Sequence, residues 1–476
     1  VKAEMLDSAK SIPLVIRPVA GNLRLVAWAA ENREYLEAQL HKHGAILFRD
    51  FAIDNTTEFE QFVSAISGSL MDYNDRATPR RPVHGKIYTS TEYPPTHRIF
   101  LHNENSFAHT FPRKIFFFCE LAAREGGATP ICDVRKVFQR LSPEIRDRFA
   151  EKNVLYVRNF GDGFGLPWQS IFNTEDKTTL EDNCRRAGIE IEWKDEHRLR
   201  TRQSRPAMAR HPHTGEMVWF NHATVLHVST LEPPLRDQLL KGFSEEDLPN
   251  NTYYGDGSRI EPPVLDALRD AYLQEKVTFD WRKGDVLMLD NVLVAHGREP
   301  FKGARKIVVG MAQPTSWAEI ETRAPTDAVG EVTANSDEYE TVPAHELSRR
   351  VDVARKSLPD APPETPVEKI LTEIWKNVLR LEQVALSDNF FDLGGQSLDA
   401  MMILARINDM LDVQLPIRAV ADAPTVAELA KTILRDPDER ARMEKRARLV
   451  LDLGGLSENE AAKMLGENSG RERDGR

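Results

Sequence analysis

Three stretches of the chain carry residue types that could do chemistry. LHNENSF places His102 and Glu104 two residues apart after a strand-like run. On an extended backbone both side chains then point to one face and can share a metal ion. Alone, a His-x-acid pair is a weak signal. DNVLVAHGREPFKGARKIVVGMA then offers His296 after a second strand-like run and Arg305 at the start of a third. Two neutral imidazoles and one carboxylate on one side of an ion suit ferrous iron, and the open positions opposite admit a chelating co-substrate and dioxygen. Arg305 supplies a planar fork that grips a carboxylate bidentately, which the neighbouring Lys306 cannot do. Far along the chain, DNFFDLGGQSLDA (388–400) presents Ser397 at a helix start, after Gly394 and Gly395, which permit a close turn. Such a serine is either a helix N-cap or a hydroxyl offered for modification. Nucleophilic catalysis is the poorer reading, because GGQSLDA lacks a GxSxG elbow.

These residues need elements to hold them. GAILFRDF (44–51), RIFLH (98–102), KIFFFCEL (114–121), KVTFDW (276–281), DVLMLDN (285–291) and RKIVVGMA (305–312) are short, β-branched or aromatic, and bounded by turn residues, which predicts strands. Helices are predicted at TTEFEQFVSAI (56–66) and at SPEIRDRFAEK (142–152), where Ser142 and Pro143 suit the N-cap and first helical position. From about Ala318 to Pro363 the chain turns polar and proline-punctuated, predicting a linker with one short helix near residues 344–356. Fully flexible, such a linker would have an r.m.s. span of about 35 to 40 Å. Thr365-Pro366-Val367-Glu368 then has capping-box spacing, and Val367, Ile370, Leu371, Ile374, Trp375, Val378 and Leu379 follow at helical period. With further helices expected at 397–411 and 425–434, this stretch reads as a small bundle. The charged tail reads as a solvated, partly helical extension or a docking segment for a partner.

A chain of 476 residues exceeds one ordinary core, so two or more domains are expected. The net charge of −11 argues against a general nucleic-acid binder. Cys119, Cys132 and Cys184 have neither an even count nor CxxC spacing, so no disulfide framework or zinc knuckle is expected and a cytoplasmic setting is the default. No apolar run reaches membrane-spanning length, VKAEMLDSAK lacks a signal-peptide core, and the Val start suggests a trimmed end.

With His102, Glu104, His296 and Arg305 in this order, and GGATPICD between them, residues 12–315 resemble the taurine dioxygenase and clavaminate synthase superfamily of Fe(II)/2-oxoglutarate oxygenases. The resemblance implies a double-stranded β-helix (jelly roll) with decorating helices. It implies His102, Glu104 and His296 as iron ligands, with Arg305 and Thr129 binding 2-oxoglutarate. Glu104 matches the clavaminate synthase side of the superfamily rather than the Asp of the taurine enzyme. Related halogenases lack this carboxylate, so hydroxylation is expected over chlorination, with desaturation as the other outcome. Four residues beyond the anchor, where the taurine enzyme has a substrate-binding arginine, this chain has Val309, a modest hint of a substrate without a free acid; Arg98, Arg113 or Arg298 could substitute. Arg298 is otherwise an assisting group or the ion-pair partner of Glu299 or a neighbour. His222 and His227, in WFNHATVLHVS, read as structural or substrate-pocket histidines rather than ligands.

DNFFDLGGQSL resembles the phosphopantetheine attachment motif of peptidyl carrier domains in nonribosomal peptide synthetases, over about residues 366–436. The expected organisation is therefore an oxygenase over 1–317, a linker over 318–364, a small α-helical carrier over 365–436 and the tail over 437–476. Ser397 would bear 4'-phosphopantetheine. A phosphopantetheinyl transferase, a separate adenylation domain or synthetase, and downstream assembly-line modules are the partners this implies, with O2 and 2-oxoglutarate as co-substrates. The substrate would be an aminoacyl or peptidyl thioester. The alternative is a free substrate or one carried in trans, with the carrier as a separate station.

Overall fold

The computed structural model describes residues 1–7, 10–19, 21–72, 80, 82–91, 93, 95–161, 167–231, 233–321, 362–379, 381–393, 395, 397–413, 415–416 and 418–454. Most of the expected linker, its helix near 344–356, Gly394 and the last part of the tail lie outside them. The chain divides into two compact units, described in turn.

The first unit is organised by an eight-stranded sheet whose centre runs Ala45–Phe48, Val286–Asp290, Thr110–Leu121, Lys306–Ser316. Both faces of this centre are buried, which is why its strands read as almost unbroken apolar runs. On one face Ile46, Phe48, Phe116, Phe118, Met288 and Val308 meet Leu25, Leu36, Leu40, Phe59, Phe62 and Ile66 from the helices Leu25–Glu31, Arg33–His43 and Thr56–Ser67. The Thr56–Ser67 helix starts where the Asn55 side chain accepts from Glu58 N, and Ser142 caps the Pro143–Lys152 helix as its sequence predicts. On the other face Leu47, Phe117, Leu287, Leu289, Val309 and Met311 join a core shared with a four-stranded sheet. That sheet runs Lys276–Val277, Ile131–Asp133, Val294–Arg298, Ile99–His102.

Two predicted features differ. The strand expected over 276–281 ends at Val277, and the chain beyond it buries Phe279 and Trp281 instead. A further four-stranded sheet, Glu190–Trp193, Leu199–Arg205, Val154–Phe160, Asn250–Tyr254, includes the polar strand LRTRQSR, whose sequence gives no apolar alternation. Its buried Arg200 is paired: Nε donates to Asn159 Oδ1 at 3.0 Å and Nη2 to Asp247 Oδ1 at 2.7 Å.

The second unit packs the helices Pro366–Leu379, Ser397–Leu411, Ala419–Asp422, Val426–Ile433 and Pro437–Gly454. Its first helix opens with a reciprocal cap: Glu368 N donates to Thr365 Oγ1 at 3.1 Å, and Thr365 N to Glu368 Oε2 at 3.0 Å. The predicted stripe from Val367 to Val378 is buried, with Trp375 against Phe390 at a ring separation of 5.4 Å. Met443 and Ala447 from the last helix belong to the same core. The first part of the tail, read from its charges as a solvated extension, therefore has a packed face. Its apolar residues are too sparse among the charges to advertise that face in sequence.

Candidate metal centre

His102 and His296 are directly opposed residues on neighbouring antiparallel strands. Such pairs bring side chains close, and the two imidazole centroids are 4.5 Å apart. His102 Nδ1 lies 2.8 Å from the Phe100 carbonyl oxygen, to which its N–H donates, leaving Nε2 for a metal. His296 Nδ1 is buried and has no hydrogen-bond partner among the described residues, so packing orients the ring, with Phe117 at 5.1 Å.

Glu104 joins them from a turn rather than from the extended backbone that i, i+2 spacing suggested. The placement comes from Asn291, which is fully buried: Glu104 N donates to Asn291 Oδ1 at 2.7 Å, and Asn291 Nδ2 donates to the Glu104 carbonyl at 3.0 Å and to Pro112 O at 2.8 Å. Asp290, just before it, shapes the turn by accepting from Val292 N at 2.9 Å and pairs with His211 Nε2 at 3.0 Å. Glu104 Oε2 is 3.4 Å from His296 Nε2 and 4.0 Å from His102 Nε2. Metal-ligating atoms of His102, Glu104 and His296 all lie within 4.8 Å of one another, and no other described trio of histidine, cysteine or acidic residues does so.

Arg80 completes the cluster and was not expected from sequence. Its Nη2 donates to Glu104 Oε2 at 2.7 Å, the two side chains being 2% and 5% exposed. Burial works to raise the Glu104 carboxyl, but Arg80 and the two imidazoles outweigh it and hold the group well below the ordinary carboxylate range. Burial, with the neighbouring His296, pushes His102 down to about 4, so this ring is neutral near pH 7. A neutral imidazole and an ionised carboxylate are the states in which these groups bind a divalent ion. The donors present therefore fit iron.

Arg305 lies at the edge of the same interior. Its Nε donates to Gly127 O at 3.0 Å, Nη1 approaches Ser90 Oγ at 3.4 Å, and Nη2 approaches Thr129 Oγ1 at 3.4 Å, while Trp281 Nε1 donates to Thr129 Oγ1 at 3.0 Å. Burial pushes this guanidinium down to about 10. Among the described residues it has no carboxylate partner, so a mostly buried cation stands beside a hydroxyl, which suits an anionic chelator. Lys306 points elsewhere, pairing with Glu120, which resolves the ambiguity between the adjacent bases.

Val309 is fully buried. Arg298 donates to Tyr93 O at 2.7 Å and His97 O at 3.0 Å, while Arg98 and Lys276 pair with Glu299. His227 is held by Ser229, its Nδ1 lying 2.7 Å from Oγ. His222 is closer to the centre, 5.5 Å from the His102 ring.

In the second unit, Ser397 is the first residue of the helix Ser397–Leu411. The turn before it is tight: Gly395 N donates to Phe390 O at 2.9 Å, and a Cβ at Gly395 would lie 2.4 Å from a Phe390 ring carbon. Glycine is needed there for space.

Residues 13–312 match the family described as taurine catabolism dioxygenase TauD, TfdA, and residues 369–433 match the phosphopantetheine attachment site family. Over 275 residues the chain is 40% identical to the dapdiamide synthesis protein DdaC of Enterobacter agglomerans, covering 58% of this chain and 84% of that one. A clavaminate synthase-like protein of Arabidopsis thaliana is 28% identical over 323 residues, 64% of this chain and 94% of its own. Tyrocidine synthase 3 of Brevibacillus parabrevis is 43% identical over 100 residues, 19% of this chain and 2% of that much longer one.

Proposed function

Because the chain belongs to the TauD/TfdA dioxygenase family and carries a phosphopantetheine attachment domain, we propose that it hydroxylates an aminoacyl or peptidyl group tethered as a phosphopantetheine thioester in nonribosomal peptide assembly. The chain is a non-haem Fe(II)/2-oxoglutarate-dependent dioxygenase fused to a carrier domain. In our reading its first unit is the jelly-roll oxygenase and its second the carrier. His102, Glu104 and His296 hold the iron, Arg305 and Thr129 hold the distal carboxylate of 2-oxoglutarate, and Ser397 bears the arm. Bound together, iron and 2-oxoglutarate supply the oxidising power to functionalise an unactivated C–H bond.

The chain's own residues prepare that chemistry. Arg80 keeps Glu104 ionised, Asn291 fixes its backbone, and the His102 N–H bond to Phe100 O sets which nitrogen faces the ion. Trp281 and Gly127 hold Thr129 and Arg305 in place, so the anchor is built before the co-substrate arrives. The observation that carries the tethered-substrate reading is the fusion itself: an arm on the same chain raises the substrate's effective concentration to about mM. Val309, apolar where the taurine enzyme binds an acid, agrees with a substrate whose carboxyl is esterified. Loading then requires an adenylation activity and a phosphopantetheinyl transferase, and release requires downstream modules.

Intact-protein mass spectrometry tests this. The holo chain, aminoacylated on Ser397 and given Fe(II), 2-oxoglutarate and O2, should gain one oxygen mass on the arm. Oxidation of the free amino acid alone, or undiminished turnover by Ser397→Ala, would overturn the tethered reading.

A further inference from the structure

His222 is buried beside the metal centre, and neither the ligand set nor the anchor uses it. The ring meets His102 edge-on at 5.5 Å and Phe107 at 5.1 Å, and the backbone N–H of His222 donates to the buried Tyr156 hydroxyl at 2.9 Å. Its Nδ1 is 2.6 Å from Ser106 Oγ, two residues beyond Glu104. Ser106 is fully buried, and among the described residues His222 is its hydroxyl's one hydrogen-bond partner. Were Nδ1 the donor, the serine proton would be left unpaired inside the protein; with the hydroxyl donating, both groups are satisfied. The ring's proton then sits on Nε2, which makes no hydrogen bond among the described residues.

Of the cations nearby, Arg80 is paired with Glu104, Arg298 donates to backbone carbonyls, Arg305 stands beside Thr129, and Arg158 lies over the Phe107 and Phe160 rings at 5.5 and 5.1 Å. The anchor segment lies on the His296 side, where Gly297 N donates to Pro130 O at 2.9 Å. His222 instead flanks His102. An uncharged N–H donor on that side suits an uncharged acceptor.

We propose that His222, fixed as the Nε2–H tautomer by Ser106, is a specificity-determining residue that donates a hydrogen bond to the carbonyl oxygen of the acyl thioester. The inference deepens the tethered-substrate reading and rests on it. It gives the site a means of distinguishing an acyl thioester from an arm without a carbonyl.

The test uses two probes, acetyl-S-pantetheine and S-ethyl-pantetheine, which differ in the carbonyl. Calorimetry is run without oxygen on the full chain with Fe(II) and 2-oxoglutarate. Wild type should prefer the acetyl probe about tenfold, the ratio that one net hydrogen bond supports. His222→Phe should lose the preference while binding the ethyl probe as before, and His222→Gln, which restores an N–H donor, should recover part of it. Ser106→Ala, with Nδ1 released, should weaken the preference without abolishing it. Equal affinities in wild type, or an undiminished preference in His222→Phe, would overturn the assignment. The oxygen-mass experiment reads tethering separately: a mass gain on the arm with no carbonyl preference counts against His222 alone, and a carbonyl preference with no mass gain counts against tethering alone.

Discussion

The iron-side cluster and the carrier's serine are built by opposite strategies. His102 with Glu104, His296, and Arg80 come from three separate segments and are held by buried bonds between residues far apart in sequence, such as the 187-residue step from Glu104 to Asn291. Ser397 depends on a dozen consecutive residues: a helix start, a tight turn and Phe390 over Gly395. On our reading the first site must be rigid before an ion arrives, because it would position reacting atoms. The second would need only to present a hydroxyl to another enzyme. Long-range buried polar bonds thus accompany chemistry done in place, and local geometry suffices for an attachment point.

Four substitutions bear on this contrast. Glu104→Ala should have the largest effect, since it abolishes iron-dependent 2-oxoglutarate turnover and strands Arg80 as a buried cation, costing about 3–5 kcal/mol. Urea titration of the apo chain measures the cost, and an unchanged first transition would mean that the cluster is not rigidly built. Next, Arg80→Met should weaken Fe(II) binding about 10–100-fold, followed by anaerobic metal titration, as expected for a group that orients a ligand from behind. Gly395→Ala should cost the carrier about 1–3 kcal/mol through overpacking against Phe390, lowering its unfolding midpoint and its modification by a phosphopantetheinyl transferase while anaerobic Fe(II) binding stays unchanged. The smallest effect is expected from Thr365→Ala, about 1 kcal/mol from the lost cap, confined to the carrier transition in a thermal scan.

What could be read in the sequence follows the same division. The carrier motif is contiguous, so its serine, glycine pair and first helix were visible as a string. In the first unit, KIFFFCEL and RKIVVGMA were legible because strands buried on both faces leave no polar alternation to confuse them. LRTRQSR was not, because its buried side chains are stabilised by ion pairs and amide bonds formed only in three dimensions. Arg80 sits in TPRRP, which reads as an ordinary basic surface turn until its partner 24 residues later is known. Asn291 was in plain view within DNVLVAH, but as a strand-bounding residue. The signal that could have found it is a buried amide immediately before the apolar run that leads to His296. His222 lay in an apolar setting, with its link to Ser106 hidden by 116 residues of chain.

The direct opposition of His102 and His296 across one ladder also determines which changes of length the protein can accept. A single-residue deletion within Ile99–His102 would turn the imidazole to the opposite face of its sheet, and a two-residue deletion would restore the face but lose the partner. Loops remote from Glu104 and Asn291 carry no such constraint. Insertions and deletions should therefore be tolerated there and excluded from the ladder itself, where strand register sets the spacing of the candidate metal site.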